Sequence, residues 1–144
     1  MSELRIAPVD GETMIADWHH VHNTIVPPAA MSLDEVRERV TRNHLAVAHL
    51  GDVLVGCSTV RPPAGGVATV IARILPEFRR RGLGTRLYEH GLALAKELGA
   101  EAVETVVLGT NADGLRFAAA HGFTEVESYV MPGETELWYT LRLA

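Results

Sequence analysis

The sequence predicts an α/β (α+β) domain built on one mixed β-sheet, and three observations carry that prediction. β-branched runs flank the tight turn Gly51-Asp52, and a second pair of strand-like runs flanks Pro132-Gly133, so antiparallel hairpins stand toward both ends. Between them a long amphipathic segment, Leu83 to Leu98, separates two further strand-like runs, as a helical crossover does. At 144 residues, with 47% hydrophobic and 22% charged content, the chain fits a single domain over 1–144 with its own core.

Element by element, Leu4, Ile6 and Val9 mark a first strand, and Thr13 to Ile25 reads as a helix that Pro27-Pro28 ends. Ser32 and Glu35 have the spacing of a capping box, which opens a helix to about Arg42 with Leu33, Val36 and Val40 as its buried stripe. Leu45 to Leu50 and Val53 to Val60 form the first hairpin. Pro62, Pro63, Gly65 and Gly66 read as a loop, and Val67 to Leu75 resumes strand character until Pro76 stops it. The long helix places Leu83, Leu87, Leu94 and Leu98 on one face, and Gly99 closes it. Ala102 to Leu108 is a strand. Asn111 to Ala120 is a short helix with Leu115, Ala118 and Ala119 on one side, ended by His121-Gly122. Phe123 to Met131 and Glu136 to Leu143 are the last strands. The order is β-α-α-β-β-β-α-β-α-β-β, about seven strands and four helices, so the sheet is mixed.

Composition excludes several classes. A net charge of −5 argues against nucleic acid as a main partner, because phosphate backbones recruit many clustered cations. No 18-residue apolar run is present, and the opening Met1-Ser2-Glu3-Leu4-Arg5 lacks the apolar core of a secretory leader, so a cytoplasmic protein without a membrane partner is expected. The single cysteine, Cys57, cannot form an internal disulfide and reads as a buried thiol rather than a nucleophile.

Positive charge is nevertheless concentrated at one point. Arg79-Arg80-Arg81-Gly82-Leu83-Gly84 lies between a strand and the long helix, where glycines let the backbone bend and expose its amides. The helix dipole lies behind them, which suits an anion such as a pyrophosphate; alone, such a turn can equally serve only the chain reversal. Nucleotide motifs do not match. Gly84 is followed by Thr85 without the lysine of a P-loop, and Leu87 occupies the third glycine position of a dinucleotide fingerprint.

The pattern Arg-x-x-Gly-x-Gly after Ile74-Leu75-Pro76-Glu77-Phe78 resembles the cofactor motif of the GNAT superfamily of N-acetyltransferases. Asn111, followed after a short helix by Gly122-Phe123, resembles that family's next segment, and the order of elements fits over essentially the whole chain. The resemblance implies a mostly antiparallel, splayed sheet with acetyl-CoA in a gap between the strands ending at Leu75 and Leu108. It implies backbone contacts from Ile74 and Leu75 to the pantetheine arm. Arg79, Arg80, Arg81, Gly82, Leu83, Gly84 and Thr85 would hold the pyrophosphate, and Asn111 would bond cofactor or acceptor near the thioester. Glu77 would be structural.

One departure bears on catalysis. Many members of the family carry a tyrosine four residues before the Gly-Phe pair, where it protonates the leaving thiolate, and this sequence has Ala118. General acid catalysis is worth about 10²- to 10⁴-fold, yet a thiol with a pKa of about 8.5 leaves fairly well unaided. Tyr129 and Tyr88 are the alternative acids, each also readable as a structural tyrosine. An amine acceptor must lose a proton, and Glu104 is the candidate base, readable too as a solvated strand residue.

Asp17, His19, His20 and His22 crowd the first helix. They read as solvated residues, as acceptor contacts, or as metal ligands lacking a supporting motif, so no metal is expected. Trp18 suits the core or an acceptor pocket. The expected activity is direct transfer of an acetyl or short acyl group from acyl-CoA to the amine of a small molecule or peptide. A catalytically silent acyl-CoA-binding module is the alternative, motivated by Ala118, and an unrelated nucleotide-binding domain is a third. Glu136 to Leu143 is a candidate edge strand for homodimer pairing.

Overall fold

The computed structural model describes residues 3–143. Along them run β1 (Leu4–Pro8), α1 (Glu12–Ile25), α2 (Leu33–Val40), β2 (His44–Leu50), β3 (Val53–Ala64), β4 (Val67–Ile74), α3 (Leu83–Glu97), β5 (Ala102–Leu108), α4 (Ala112–Ala120), β6 (Phe123–Val130) and β7 (Leu137–Leu143). This is the element order read from the sequence. Short 3-10 turns at Pro27–Ala29 and Pro76–Phe78 follow α1 and β4, each opened by a proline that cannot continue the preceding element.

The strands make a seven-stranded sheet in the order β1-β2-β3-β4-β5-β7-β6. Every neighbouring pair is antiparallel except β4 and β5, which run parallel because α3 crosses over between them. Side chains alternate along each strand, so the sheet buries two faces. On one, α1 and α2 pack Ile15, Trp18, Val21 and Val36 against Leu45, Val47 and Cys57. On the other, α3 packs Leu83 and Leu87 against Val55 and Ile74, and Tyr88 against Val60 and Val70. No described helix is long and apolar enough to cross a membrane.

Four expectations are corrected. Pro62 and Pro63 lie within β3, not in a loop; the register shifts between Arg61 and Ala64, which accommodates two residues that cannot donate to the ladder. β7 is flanked by β5 and β6, so it is an interior strand, and the edges are β1 and β6. Helix α2 ends at Val40 and buries Val36, while Leu33 in its first turn is exposed. In α3 the buried stripe is Leu83, Leu87, Tyr88, Gly91 and Ala95, and Leu98 lies past its end, exposed. The Ser32–Glu35 capping box is present in both directions, Glu35 N–H donating to Ser32 Oγ (3.1 Å) and Ser32 N–H to Glu35 Oε1 (3.0 Å).

Candidate active site

The parallel pair β4–β5 is matched at Val67–Ala102, Ala68–Val103 and Thr69–Glu104, and nowhere further along. Past that point the strands part and leave a cavity of about 420 Å³ between Ile71–Ile74 of β4 and Thr105–Leu108 of β5. Leu75 N–H donates to Val55 O (2.8 Å), so alternation turns the backbone groups of Arg73 toward β3 and those of Ala72 and Ile74 toward the gap. There they face no strand. The Leu75 N–H is thereby committed to β3, and its carbonyl accepts one bond, from Phe78 N–H (2.9 Å). The Ile74 carbonyl accepts from Arg79 Nε (2.9 Å), leaving its amide to the gap.

The arginine-glycine turn forms the mouth of the cavity. Arg80 (φ 66°) and Gly82 (φ 76°) are both left-handed, a conformation that glycine adopts freely and arginine only at a cost of about 1 kcal/mol or more. Gly82 caps α3 without a side-chain bond, and the first helical bond comes from Arg86 N–H to Gly82 O (3.3 Å). The amides of Leu83, Gly84 and Thr85 therefore lack intrahelical partners and carry the positive end of the helix dipole. Gly84 matters for a different reason: a Cβ there would approach Phe117 Cε2 at 3.2 Å, so its absence lets α4 close on α3. Thr85 donates its hydroxyl to His121 Nε2 (3.0 Å), with His121 Nδ1–H on the Phe117 carbonyl (2.8 Å).

Charge ties the mouth together. Arg79 Nη1 reaches Asp113 Oδ2 on α4 (3.1 Å), and Arg116 holds the other oxygen, so Asp113 stays below the usual carboxylate range. Asn111 caps α4 by accepting from Gly114 N–H (3.0 Å), and a Cβ at Gly114 would crowd that cap, meeting Asn111 Nδ2 at 2.6 Å and Val107 Cγ1 at 3.0 Å. Asn111 lines the cavity, and its Nδ2 makes no hydrogen bond among the described residues. Ala118 lines the cavity and is almost fully buried. Tyr88 lines it too, with its hydroxyl buried and without a hydrogen-bond partner, and burial pushes that phenol up. Edge-on contacts with Phe117, His121 and Phe123 fix its ring.

Of the residues proposed from the sequence, the structure brings Ile74, Arg79, Arg80, Gly82, Gly84, Thr85 and Asn111 to the cavity. Arg81 does not line the cavity, its guanidinium lying 5.7 Å from the ring centroid of the lining residue Phe78, and the Leu83 side chain is core. Glu104 does not line the cavity; Arg142 Nε (2.9 Å) and Nη2 (2.5 Å) both hold its Oε2. Tyr129 packs a layer behind, against the Val26, Leu108 and Trp138 cluster, and burial raises its pKa. Cys57 is fully buried and its thiol is pushed up to about 12, so it is inert.

The histidine cluster divides. His22 is buried, stacked on Trp18 at 4.9 Å, and donates from Nε2 to Ala29 O (3.0 Å), so it is neither solvated nor a ligand; Trp18 is core, bonded to Ser58 O (3.0 Å). Among the described residues no three His, Cys, Asp or Glu side chains are grouped as a metal site. Sequence reading missed Arg73 and Thr105, both in the cavity wall. Arg73 had a signal: it is the one charge in the otherwise apolar and small run Val67 to Leu75. Thr105 had none.

Comparison with known proteins agrees with this geometry. The acetyltransferase (GNAT) family profile matches residues 12–123. No curated protein matches the chain. Among solved structures, the ribosomal-protein-S18-alanine N-acetyltransferase of Escherichia coli is similar at 17% identity and TM-score 0.78, over 98% of this chain and 93% of that one. An acetyltransferase of Bacillus subtilis in complex with CoA is similar at 18% identity and TM-score 0.71, over 98% of each. A GNAT family acetyltransferase of Elizabethkingia anophelis with acetyl-CoA bound is similar at 15% identity and TM-score 0.73, over 97% of each. With the family's profile spanning most of its length and the parted strands and glycine turn in place, this chain belongs to the acetyltransferase (GNAT) family.

Proposed function

We propose that the protein transfers an acetyl or short acyl group from acyl-CoA to an amine. The observation that carries this is the opening between β4 and β5 with unpartnered helix-α3 amides at its mouth. Bound CoA supplies the thioester. The amides of Leu83, Gly84 and Thr85, with Arg79 and Arg80, hold its pyrophosphate. Its amide-bearing arm lies along the free backbone edge at Ala72 and Ile74.

The acceptor nitrogen attacks the thioester carbonyl carbon; an N–C bond forms, the C–S bond breaks with its electron pair on sulfur, and the nitrogen loses a proton. Free CoA and an amide result. Tyr88 is the donor we assign to the leaving sulfur in place of the tyrosine absent at Ala118: the residue lines the cavity, and its buried hydroxyl is protonated and has no partner in the protein. The cavity wall holds one carboxylate among the described residues, Asp113, which is ion-paired. The amine proton therefore leaves to water.

A second reading, a silent acyl-CoA-binding module, draws on Ala118 and on the engagement of Glu104 by Arg142. Both readings are tested by calorimetric titration of acetyl-CoA into the protein and into Arg80→Glu, an exposed position whose reversal spares the α3–α4 contact. At least a ten-fold weaker affinity in the variant supports the anion site, and thiol release with an amine panel separates enzyme from module. Equal affinity in both proteins removes the assigned site.

A further inference from the structure

Three arginines share the α1/α2 side of the sheet beside the cavity. Arg61 of β3 is registered opposite Thr69 and Arg73 of β4 opposite Cys57, so alternation puts both on the face where Cys57 packs under α1 and α2. Arg39 comes from α2, with a buried Nε that has no hydrogen-bond partner. Burial first, and then repulsion from Arg61, hold Arg39 and Arg73 below the ordinary arginine value, Arg73 also feeling Arg39, while Arg61 is lowered by desolvation and by Arg42.

None of them makes an ion pair or side-chain hydrogen bond among the described residues, whereas Arg37, Arg42, Arg79, Arg116 and Arg142 each hold a carboxylate. The nearby acids bond to other groups, Glu35 to Ser32, Glu38 to Arg42 and Glu127 to the Thr140 hydroxyl (3.4 Å), and Glu38 and Glu35 act on Arg39 only through space, more weakly than burial does. His22 adds no countercharge. Arg61 is exposed, whereas Arg39 and Arg73 are half-buried, and Arg73 is the one of the three set in the cavity wall; a partly desolvated, unpaired cation there gains from an arriving anion. Arg73 lines the cavity together with Ile71, Ile25 and Val26, which connects the cluster to the place where the thioester would lie.

We infer that the acceptor amine carries an acidic group on the same molecule, a carboxylate or a phosphonate, which Arg73 binds with Arg39 and Arg61 behind it. This rests on the acyl-transfer reading above. A guanidinium binds either oxyanion through paired N–H donors, and an acid so held directs the amine end of a small molecule toward the parted strands.

The test is steady-state thiol release with acetyl-CoA and paired acceptors: L-methionine, L-phenylalanine and β-alanine beside their carboxamides, and 3-aminopropylphosphonate beside butylamine. At least one acidic member should exceed its neutral partner ten-fold in kcat/KM, and the better of the carboxylate and phosphonate arms names the acid. Arg73→Gln should raise the KM for that acceptor at least ten-fold, and by several-fold more than it changes the KM for acetyl-CoA or the rate with neutral amines; Arg73→Lys should recover part of the loss. Arg61→Gln serves as a second variant if Arg73→Gln melts early. Neutral amines reacting as well as acidic ones, or Arg73→Gln acting alike on both, overturns the inference. If no amine reacts, the same pairs are titrated calorimetrically into protein saturated with CoA: acid-selective binding lost in Arg73→Gln upholds it, and its absence overturns it. The separate acetyl-CoA titration reports whether the transfer reading fails by itself.

Discussion

At the scale of single residues, burial decides which polar groups matter, and His22 shows it most directly. Burial, aided by Arg73 on β4, Arg39 on α2 and His19 on α1, lowers its pKa to about 4 from 6.5. The folded protein thus holds this imidazole neutral while the unfolded chain protonates it below about pH 6.5, so stability should fall as pH drops from 6.5 toward 4, by about 3 kcal/mol at most. Urea titrations at pH 7 and pH 4.5 measure that loss, and His22→Phe should shrink it; an unchanged slope in the variant would assign the acid sensitivity elsewhere. Tyr88 is the residue proposed above as donor to the leaving sulfur. Tyr88→Phe keeps the ring contacts and removes only the buried hydroxyl, so kcat should drop about 10- to 100-fold with the KM for acetyl-CoA unaltered, as for loss of one donor to the leaving group. A kcat equal to that of the parent protein would leave the thiolate to depart unassisted.

Among elements, β4 is the one whose position defines the cavity, and Gly56 of β3 fixes how closely its neighbour lies. A Cβ at Gly56 would come within 2.5 Å of the Arg73 carbonyl and 2.8 Å of Ile74 Cδ1, backbone and core of the strand that walls the gap. Gly56→Ala should therefore cost about 1–3 kcal/mol, a melting temperature lower by about 2–4 °C for each kcal/mol, and should weaken acetyl-CoA binding as β4 shifts. An unshifted melting curve would mean that β3 and β4 can slide apart without strain. Gly84 of α3 meets the same Ile74 side chain, and its missing side chain lets Phe117 approach; a large residue there would part α3 from α4 as well as crowd the turn.

For the whole molecule, charge distribution sets the expected pH behaviour. The chain carries a net charge of −5, yet the described cavity wall presents Arg73, Arg79, Arg80 and Arg116 against a single paired carboxylate, Asp113. With no free acid there to deprotonate the acceptor, kcat/KM should climb with pH toward the amine's own pKa, about 10 for an alkylamine. An inflection between pH 6 and 7 that persists across amines of different pKa would reveal an enzymatic base and sink this reading.

Local chemistry was enough for much of this. The capping box at Ser32, the turns at Gly51-Asp52 and Pro132-Gly133, the element order and the glycine turn before α3 all follow from backbone preferences and hydrophobic period, which act over a few residues. Tertiary structure alone decided that β7 is interior, that Arg142 engages Glu104, that the Leu75 N–H is committed to β3, and that Tyr88 rather than Tyr129 meets the cavity. It also gathered Arg39, Arg61 and Arg73, which stand far apart in sequence on α2, β3 and β4. Which side chains meet depends on strand order and on the parting of β4 from β5, and these come from long-range pairing that no short window of sequence contains.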